Sequence, residues 1–143
     1  MGKRREGREA AVQFLFCADI NPELTPDDID VFFTTIRPAT KGVREFAKVL
    51  ATGVCKHRAE IDTTIEKHTD NYKLDRVSAV DRSILRLAIY EILFCEDIPS
   101  VVSINEAIEV AKRFGTEESG RFVNGILDNL HRQMKNSAGD PAE

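Results

Sequence analysis

The sequence predicts an all-α protein, and three observations support that prediction. Apolar residues recur three and four positions apart along most of the chain, which is the spacing of an amphipathic helix. Helix start signals precede several of these stripes, as at Thr25-Pro26 and Ser103. Alternation typical of strands is almost absent, and no Asn-Gly or Asp-Gly pair stands between alternating stretches. At 143 residues, the chain suits one compact domain or two small helical sub-bundles with a shared core.

The first helix is predicted over about residues 4–19 and ends before an Asn-Pro pair. Val12 and Leu15 share its apolar face. Arg5 and Arg8 lie on the continuation of the same stripe towards the N-terminus, because these positions again step by three and four. We therefore expect both arginines to overhang the edge of the core, beside a groove.

Two further helical segments are predicted in the first half. Thr25-Pro26 reads as an N-cap with proline at the first helical position, and the short helix that follows stops before Pro38. From Lys41 a strong apolar stripe runs to about residue 65. A break in this stripe is placed near His57–Arg58.

The second half begins with a wide apolar arc from residue 77 to about 94, which predicts a central helix packed on several sides. Ser103 and Glu106 form a capping-box pattern at the start of the next helix, and Gly115 suits a left-handed cap at its end. Thr116 can start the last helix, which runs to about residue 134.

Residues 70–73 are predicted to be the junction between two sub-bundles. The N-terminal sub-bundle would then comprise residues 1–73 and the C-terminal one residues 74–136. Residues 137–143 have nothing apolar to bury and are expected to form a disordered tail.

Charge is distributed unevenly along the chain. Residues 1–8 contain four basic side chains and one acidic one, a net charge of +3; because the whole chain carries −4, the remainder carries −7. A basic arm on an acidic body indicates a local contact with a polyanion. It does not fit a protein that coats nucleic acid with its whole surface.

Composition and motifs argue against several other classes of protein. No apolar stretch is long enough to span a membrane, and no secretory signal is recognisable. Cys17, Cys55 and Cys95 lack a CxxC spacing, which is typical of a reducing cytoplasm. Phosphate-loop, nucleophile-elbow and zinc-protease motifs are absent, and the three histidines match no metal spacing. We expect a cytoplasmic protein that is not an enzyme and that uses no cofactor or metal.

Four segments resemble the signatures of the NusB family. In chain order they are an arginine-rich start at Arg4–Gln13, the central-helix sequence DRSILRLAIYE at Asp81–Glu91, the segment Ile98–Gly115 and the sequence FVNGILD at Phe122–Asp128. One such segment alone would be a weak match. Four in family order over about residues 4–130 make the resemblance specific.

The resemblance implies an all-helical fold of two sub-bundles packed side by side, and a role in transcription antitermination. Members of the family bind the single-stranded boxA element of ribosomal RNA transcripts together with NusE, a ribosomal small-subunit protein, and help RNA polymerase to read through terminators. By position in the motifs, the implied RNA-facing residues are Arg4, Arg5, Arg8, Gln13, Glu118, Phe122 and Asn124. The implied NusE-facing residues lie at the exposed start of the central helix, Asp81 and Arg82. Both a monomer and a homodimer that hides the RNA face fit the sequence.

The candidate side chains suit these roles chemically. Arginine binds phosphate and stacks on bases. Phe122 lies at the edge of its apolar arc, so its ring is either core or a platform for a base, whereas Asn124 faces away from that arc and offers a donor and an acceptor. Gly125, inside a helix, favours close approach of another backbone or of RNA. Gly7 replaces a usual alanine, which predicts fraying, and Phe16 replaces a usual tyrosine, which removes a hydroxyl.

Two other functions fit part of the sequence. One is the NusB-like RNA-binding domain attached to ribosomal RNA cytosine methyltransferases, but that enzyme needs a further nucleotide-binding domain for which residues 131–143 are too short. The other is a helical adaptor that binds proteins alone, with an incidental basic arm. Such an adaptor would not bind RNA at moderate salt even with its partner present.

Overall fold

The computed structural model describes residues 2–69 and 74–139, and every regular element in these ranges is helical. The α-helices are α1 (Gly2–Ile20), α2 (Ile29–Val31), α3 (Lys41–Lys56), α4 (Arg58–Lys67), α5 (Ala79–Phe94), α6 (Ser100–Phe114) and α7 (Ser119–Gly139). Short 3-10 turns at Pro26–Asp28 and Leu74–Arg76 precede α2 and α5, and a π-helical turn at Phe32–Ile36 follows α2. The predicted all-α class is confirmed.

The helix α5 lies at the centre of the fold, as its wide apolar arc predicts. It packs against α1, α3, α4, α6 and α7, and its residues from Ser83 to Ile89 are all buried. A helix with neighbours on several sides must be apolar around most of its circumference. Arg86 and Glu91 are charged exceptions on this buried helix, and each is held in an ion pair.

The helix α1 runs along α3 and α5, and its approach to α3 depends on Gly7. A Cβ atom on Gly7 would lie 2.7 Å from Cδ2 of Phe46 on α3, which is closer than real Cβ contacts. Close packing of α1 on α3 therefore explains why a glycine lies at position 7, inside a helix that continues on both sides of it. Farther along α1, the ring of Phe14 meets those of Phe32 and Phe33, with centroids 5.2 and 6.1 Å away.

Two of the predicted helix boundaries in the first half are confirmed. The break near His57–Arg58 is present, because α3 ends at Lys56 and α4 begins at Arg58. Thr25 caps its turn as expected: its Oγ1 accepts from the backbone N–H of Asp27 at 3.3 Å, and Pro26 occupies the first position.

Two predicted helix caps in the second half are wrong. The helix α6 begins at Ser100, one turn before the predicted Ser103 cap, because Pro99 occupies the N-cap position. Ser103 and Glu106 therefore lie inside the helix, where their side chains bond to other helices. Gly115 does follow the end of α6, but its φ of −99° is not left-handed. A small residue is needed there for space, since a Cβ would lie 2.3 Å from Oγ of Ser119.

The division into two sub-bundles remains a prediction. Its junction at 70–73 lies outside the described residues, and one apolar core joins residues of α1 and α3 to residues of α5, α6 and α7. The helix α7 continues to Gly139, into the segment expected to be a disordered tail, and residues 140–143 of that tail also lie outside the described chain.

Candidate nucleic-acid interface

Arg8 is buried in a bidentate ion pair with Glu91 of α5. Its Nε and Nη2 donate to the two carboxylate oxygens at 2.8 and 2.9 Å, and the two side chains are 6% and 1% exposed. Ser103 of α6 donates its hydroxyl to the same carboxylate at 2.7 Å. The expectation that Arg8 overhangs the core edge is wrong, because a buried carboxylate requires a charged partner and draws the guanidinium inwards.

Arg5 lies one turn nearer the N-terminus and pairs with Glu106 of α6. Its Nε and Nη2 each donate to a carboxylate oxygen at 2.9 Å. This pair is more open than the previous one, with side chains 40% and 19% exposed. The hydrogen bonds from Arg5 hold the pKa of the Glu106 carboxyl below its usual value. Arg5 does reach the edge of the core as predicted, but two of its five N–H donors already bond to a carboxylate.

Arg4 is held by an aromatic ring. Its guanidinium carbon lies 4.2 Å from the ring centroid of Phe46, within the range of a cation–π contact. Arg4 is exposed, and within residues 2–69 and 74–139 it forms no ion pair. Among the three arginines, Arg4 thus has the most available charge.

The three arginines meet at a hollow of about 370 Å³ between the start of α1 and the start of α6. We call it the arginine hollow; its lining residues are Arg4, Arg5, Arg8, Asp97, Ile98, Pro99, Val102 and Glu106. Three cations and two carboxylates line it, but Arg8 is already paired with Glu91 beneath it, so the cation most open to a ligand is Arg4. An anionic group of a ligand would be attracted to it.

A second hollow, of about 430 Å³, lies between the start of α5 and the start of α7. We call it the α5–α7 hollow; its lining residues are Arg76, Val77, Ser78, Asp81, Glu118, Arg121 and Phe122. Phe122 packs partly against the core and is half-buried, so its ring belongs to both the core and the hollow. Glu118 is exposed and lies 3.5 Å from Arg121.

Asp81 lines the same hollow as Phe122, although the two residues were assigned to different partners. It is half-buried, not fully exposed as expected. Its Oδ1 is buried and accepts no hydrogen bond from the described residues. Buried acceptors normally have donors, so this carboxylate is suited to a donor supplied by a ligand or partner.

The guanidinium of Arg82 forms hydrogen bonds within the fold. Its Nε donates to Oδ2 of Asp19 on α1 at 3.0 Å, and its Nη1 donates to the carbonyl of Leu74 at 3.0 Å. Arg82 is therefore not exposed as expected, and its role as a partner contact remains a prediction. The guanidinium of Arg82 pairs with Asp19 because the Asp19 carboxylate is nearly buried and requires a cationic partner.

The other sequence candidates lie apart from these hollows. Oε1 of Gln13 accepts from Nε of Arg37 at 2.7 Å, and Gln13 lines a mainly apolar hollow of about 390 Å³ that also includes Phe16. Asn124 is exposed on α7. Gly125 is also exposed, and a Cβ there would meet nothing within 4 Å, so close approach of another part of the described chain does not explain it.

Sequence reasoning missed Asp19, which joins three helices. It pairs with Arg82 and Arg86 of α5 and lies 3.6 Å from Arg58 of α4. Burial alone would raise the pKa of Asp19, but hydrogen bonds from Arg82 and Arg86 outweigh it and lower the pKa. The signal was present, because Asp19 shares the face of α1 that carries Val12. A carboxylate on an apolar face indicates a buried ion pair.

These features define the class of the protein first: it is a helical protein whose arginine hollow presents Arg4 and part of Arg5 to an anionic polymer. In the described ranges, no three side chains of His, Cys, Asp or Glu cluster as metal ligands would. None of the helices in the same ranges has the length and hydropathy that a membrane span requires.

The chain belongs to the NusB family, whose model matches residues 5–132. It is 50% identical over 134 residues to the transcription antitermination protein NusB of Desulfatibacillum aliphaticivorans, covering 94% of this chain and 93% of that protein. It is 48% identical over 130 residues to the protein of the same name from Geobacter sulfurreducens, covering 91% and 94%.

Solved structures of the family share the fold. NusB of T. maritima superposes with a TM-score of 0.81 at 38% identity, covering 93% of this chain and 92% of that one. A chain from a crystal structure of the antitermination factors NusB and NusE in complex with double-stranded RNA gives 0.82 at 28% identity, covering 93% and 98%.

Proposed function

We propose that this chain is a transcription antitermination factor that binds boxA-type single-stranded RNA of ribosomal RNA transcripts together with NusE. In this role it promotes read-through by RNA polymerase. Membership of the NusB family supports the proposal, as does the likeness to a chain from a NusB–NusE–RNA complex. The observation that carries it is the arginine hollow, which gathers the basic arm of an otherwise acidic chain at one place.

We infer that RNA contacts both hollows. At the arginine hollow, Arg4 and Arg5 are open enough to bind phosphate. At the α5–α7 hollow, Phe122 offers part of its ring to an unstacked base. Arg8 supports the site from beneath by holding α1 on α5. The remaining RNA candidates are Gln13, Glu118 and Asn124, and all but the half-buried Gln13 are exposed.

We infer that NusE contacts the start of α5 through Asp81. Asp81 lines the open α5–α7 hollow, where its carboxylate would favour a cationic or hydrogen-bonding partner group. Arg82 has an indirect role in this scheme, because it fixes the start of α5 to α1 through Asp19.

We also infer a cytoplasmic protein without enzymatic activity. The relatives at 50% and 48% identity are named for transcription antitermination, and this chain covers more than nine-tenths of each. Neither relative is named for a methyltransferase, which disfavours that alternative.

The test is a gel-shift titration of boxA-type RNA and of a scrambled RNA of equal composition, with and without NusE. We expect tighter binding to boxA than to the scrambled RNA, and a further gain when NusE is present. Absence of RNA binding at moderate salt even with NusE would favour the adaptor that binds proteins alone. Size-exclusion chromatography of the free protein shows whether it is a monomer or a homodimer. In a homodimer that hides the RNA face, RNA binding would compete with dimerisation.

A further inference from the structure

Phe46 of α3 contacts three positions on one face of α1. Its ring lies against the backbone of Gly7, where an added Cβ would come within 2.7 Å of Cδ2. The guanidinium carbon of Arg4 lies 4.2 Å from the ring centroid, and that of Arg8 lies 5.5 Å from it. Positions 4, 7 and 8 are adjacent on a helical surface, so one ring contacts a continuous patch of α1 that includes two of its arginines.

The three arginines of α1 differ in how far a carboxylate already neutralises them. Arg8 is neutralised by Glu91, and Arg5 donates its Nε and Nη2 to Glu106. Arg4 has no carboxylate partner in the parts of the chain that the structure describes. A cation–π contact uses the face of the guanidinium and leaves its N–H edge available for a phosphate oxygen.

We propose that Phe46 is a positioning residue for RNA binding: it holds Arg4 at the rim of the arginine hollow, and Arg4 makes the phosphate contact there. The inference rests on the proposed function. Gly7 completes the arrangement, because any side chain at that position would push the ring away from α1. Glycine is unfavourable in a helix interior, but at position 7 it leaves the space that the Phe46 ring needs.

The test is a double-mutant cycle, read as the affinity for fluorescent boxA-type RNA over a series of salt concentrations. Arg4→Ala should flatten the dependence of log K on log salt by about 0.7, the value for one phosphate on a single strand. Phe46→Leu should weaken binding about two- to fivefold through loss of the cation–π contact. In the Arg4→Ala background, Phe46→Leu should have no further effect.

Three companion variants separate positioning from general damage to the fold. Phe46→Tyr keeps the ring and should recover most of the affinity that Phe46→Leu loses. Gly7→Ala keeps the ring but displaces it, and should weaken binding while α1 stays helical. Val49→Ala is the matched control, because Val49 is an exposed apolar residue of the same helix outside both hollows.

A second readout follows the contact directly. The Nε–H resonance of Arg4 should be shifted upfield by the ring and should return towards its random-coil position in Phe46→Leu. If circular dichroism shows that Phe46→Leu unfolds, the Phe46→Tyr and Gly7→Ala variants provide the test instead.

The outcomes are distinguishable. An equal effect of Phe46→Leu with and without Arg4, or an unshifted Arg4 resonance in the wild-type protein, would overturn the inference while the RNA-binding function stands. If the wild-type protein, with or without NusE, does not prefer boxA-type RNA to the scrambled control, the proposed function fails and this inference fails with it.

Discussion

Arg4, Arg5 and Arg8 lie within five positions of one helix, yet their surroundings differ. Arg8 neutralises a buried carboxylate, Arg5 shares its charge with a partly exposed one, and Arg4 lies over an aromatic ring. Separating a cation from a buried carboxylate is costly, whereas an exposed side chain binds phosphate without that loss. Availability to RNA therefore decreases from Arg4 to Arg5 to Arg8.

Replacing Arg8 with alanine is expected to destabilise the fold by about 3–5 kcal/mol, because Glu91 would stay buried without its cation. Chemical denaturation followed by circular dichroism measures this loss. Arg113→Ala is the matched control: this exposed arginine lies 3.7 Å from Glu9, and its loss should cost less than about 1 kcal/mol. Small, equal losses in both variants would contradict a structural role for Arg8.

Replacing Glu106 with glutamine is expected to strengthen RNA binding, because Arg5 would no longer be neutralised by a bidentate carboxylate. The dependence of log K on log salt should steepen by up to about 0.7, one additional phosphate contact. Anisotropy titrations with boxA-type RNA measure both. Glu109→Gln removes a half-buried carboxylate from the same helix that forms no hydrogen bond to Arg5, and should change affinity less. A weaker complex with Glu106→Gln would show that the carboxylate orients Arg5 for RNA.

At the scale of elements, charged side chains fix the helices that the apolar stripes merely bring together. Asp19 of α1 pairs with Arg82 and Arg86 of α5, and Arg86 also pairs with Asp62 of α4. Apolar packing is tolerant of sliding, but bidentate hydrogen bonds require one geometry. The network therefore sets the register of α1 and α4 against the central helix.

Asp19→Asn is expected to destabilise the fold by about 1.5–3 kcal/mol at neutral pH, the range for a hydrogen bond to a charged group. Because the pKa of Asp19 is lower in the folded protein than in the unfolded chain, its stabilisation is complete above the unfolded pKa of about 3.9 and is lost as pH falls through the folded value.

Urea unfolding from pH 7 to pH 2 checks this expectation. The difference in stability between wild type and Asp19→Asn should stay constant above about pH 5 and shrink in acid. Asp75→Asn serves as a control, because Asp75 is exposed in the turn before α5. A difference that grows in acid would mean that Asp19 does not need its charge.

At the scale of the whole molecule, the two hollows lie at opposite ends of α5. The α5–α7 hollow contains Asp81 near the start of the helix, and the arginine hollow contains Asp97 just beyond its end. With 16 residues, α5 separates them by roughly 24 Å. An RNA strand that contacts both hollows must extend along the molecule, so the basic arm and the Phe122 ring would bind different nucleotides.

Asp81→Lys is expected to weaken NusE binding, because it adds a repulsive cation where a carboxylate is proposed to accept from NusE. Phe122→Leu is its complement: it should lose about 1–3 kcal/mol of RNA binding and retain NusE binding. Calorimetric titration of NusE and RNA gel shifts on each variant separate the two. Because Asp81 shares the hollow with Phe122, the added lysine should also strengthen RNA binding by the isolated protein.

Intact NusE affinity in Asp81→Lys would show that another surface binds NusE. Partial unfolding of Phe122→Leu in circular dichroism, matching its loss of RNA affinity, would assign Phe122 to the core alone.

The sequence by itself determined the helices and their order. The stripe that contains Val12 and Leu15, the wide arc of α5 and the break at His57–Arg58 are local patterns with the period of a helix, and the structure confirms them. The family signatures are also local, and the family match confirms them. Caps were less predictable, because the Ser103–Glu106 pattern suits a helix start as well as two inward-facing contacts.

Tertiary structure decided which charges are available for binding. Arg8 and Glu91 are 83 positions apart, and Arg5 and Glu106 are 101 apart, so no local pattern indicates that they pair. The same holds for Phe46, whose ring reaches Arg4 from another helix. A helical period places a side chain on a face, but whether that face meets a carboxylate, a ring or solvent depends on the neighbouring helix. For this reason the sequence identified the basic arm, and the fold determined which of its arginines has no carboxylate partner among the described residues.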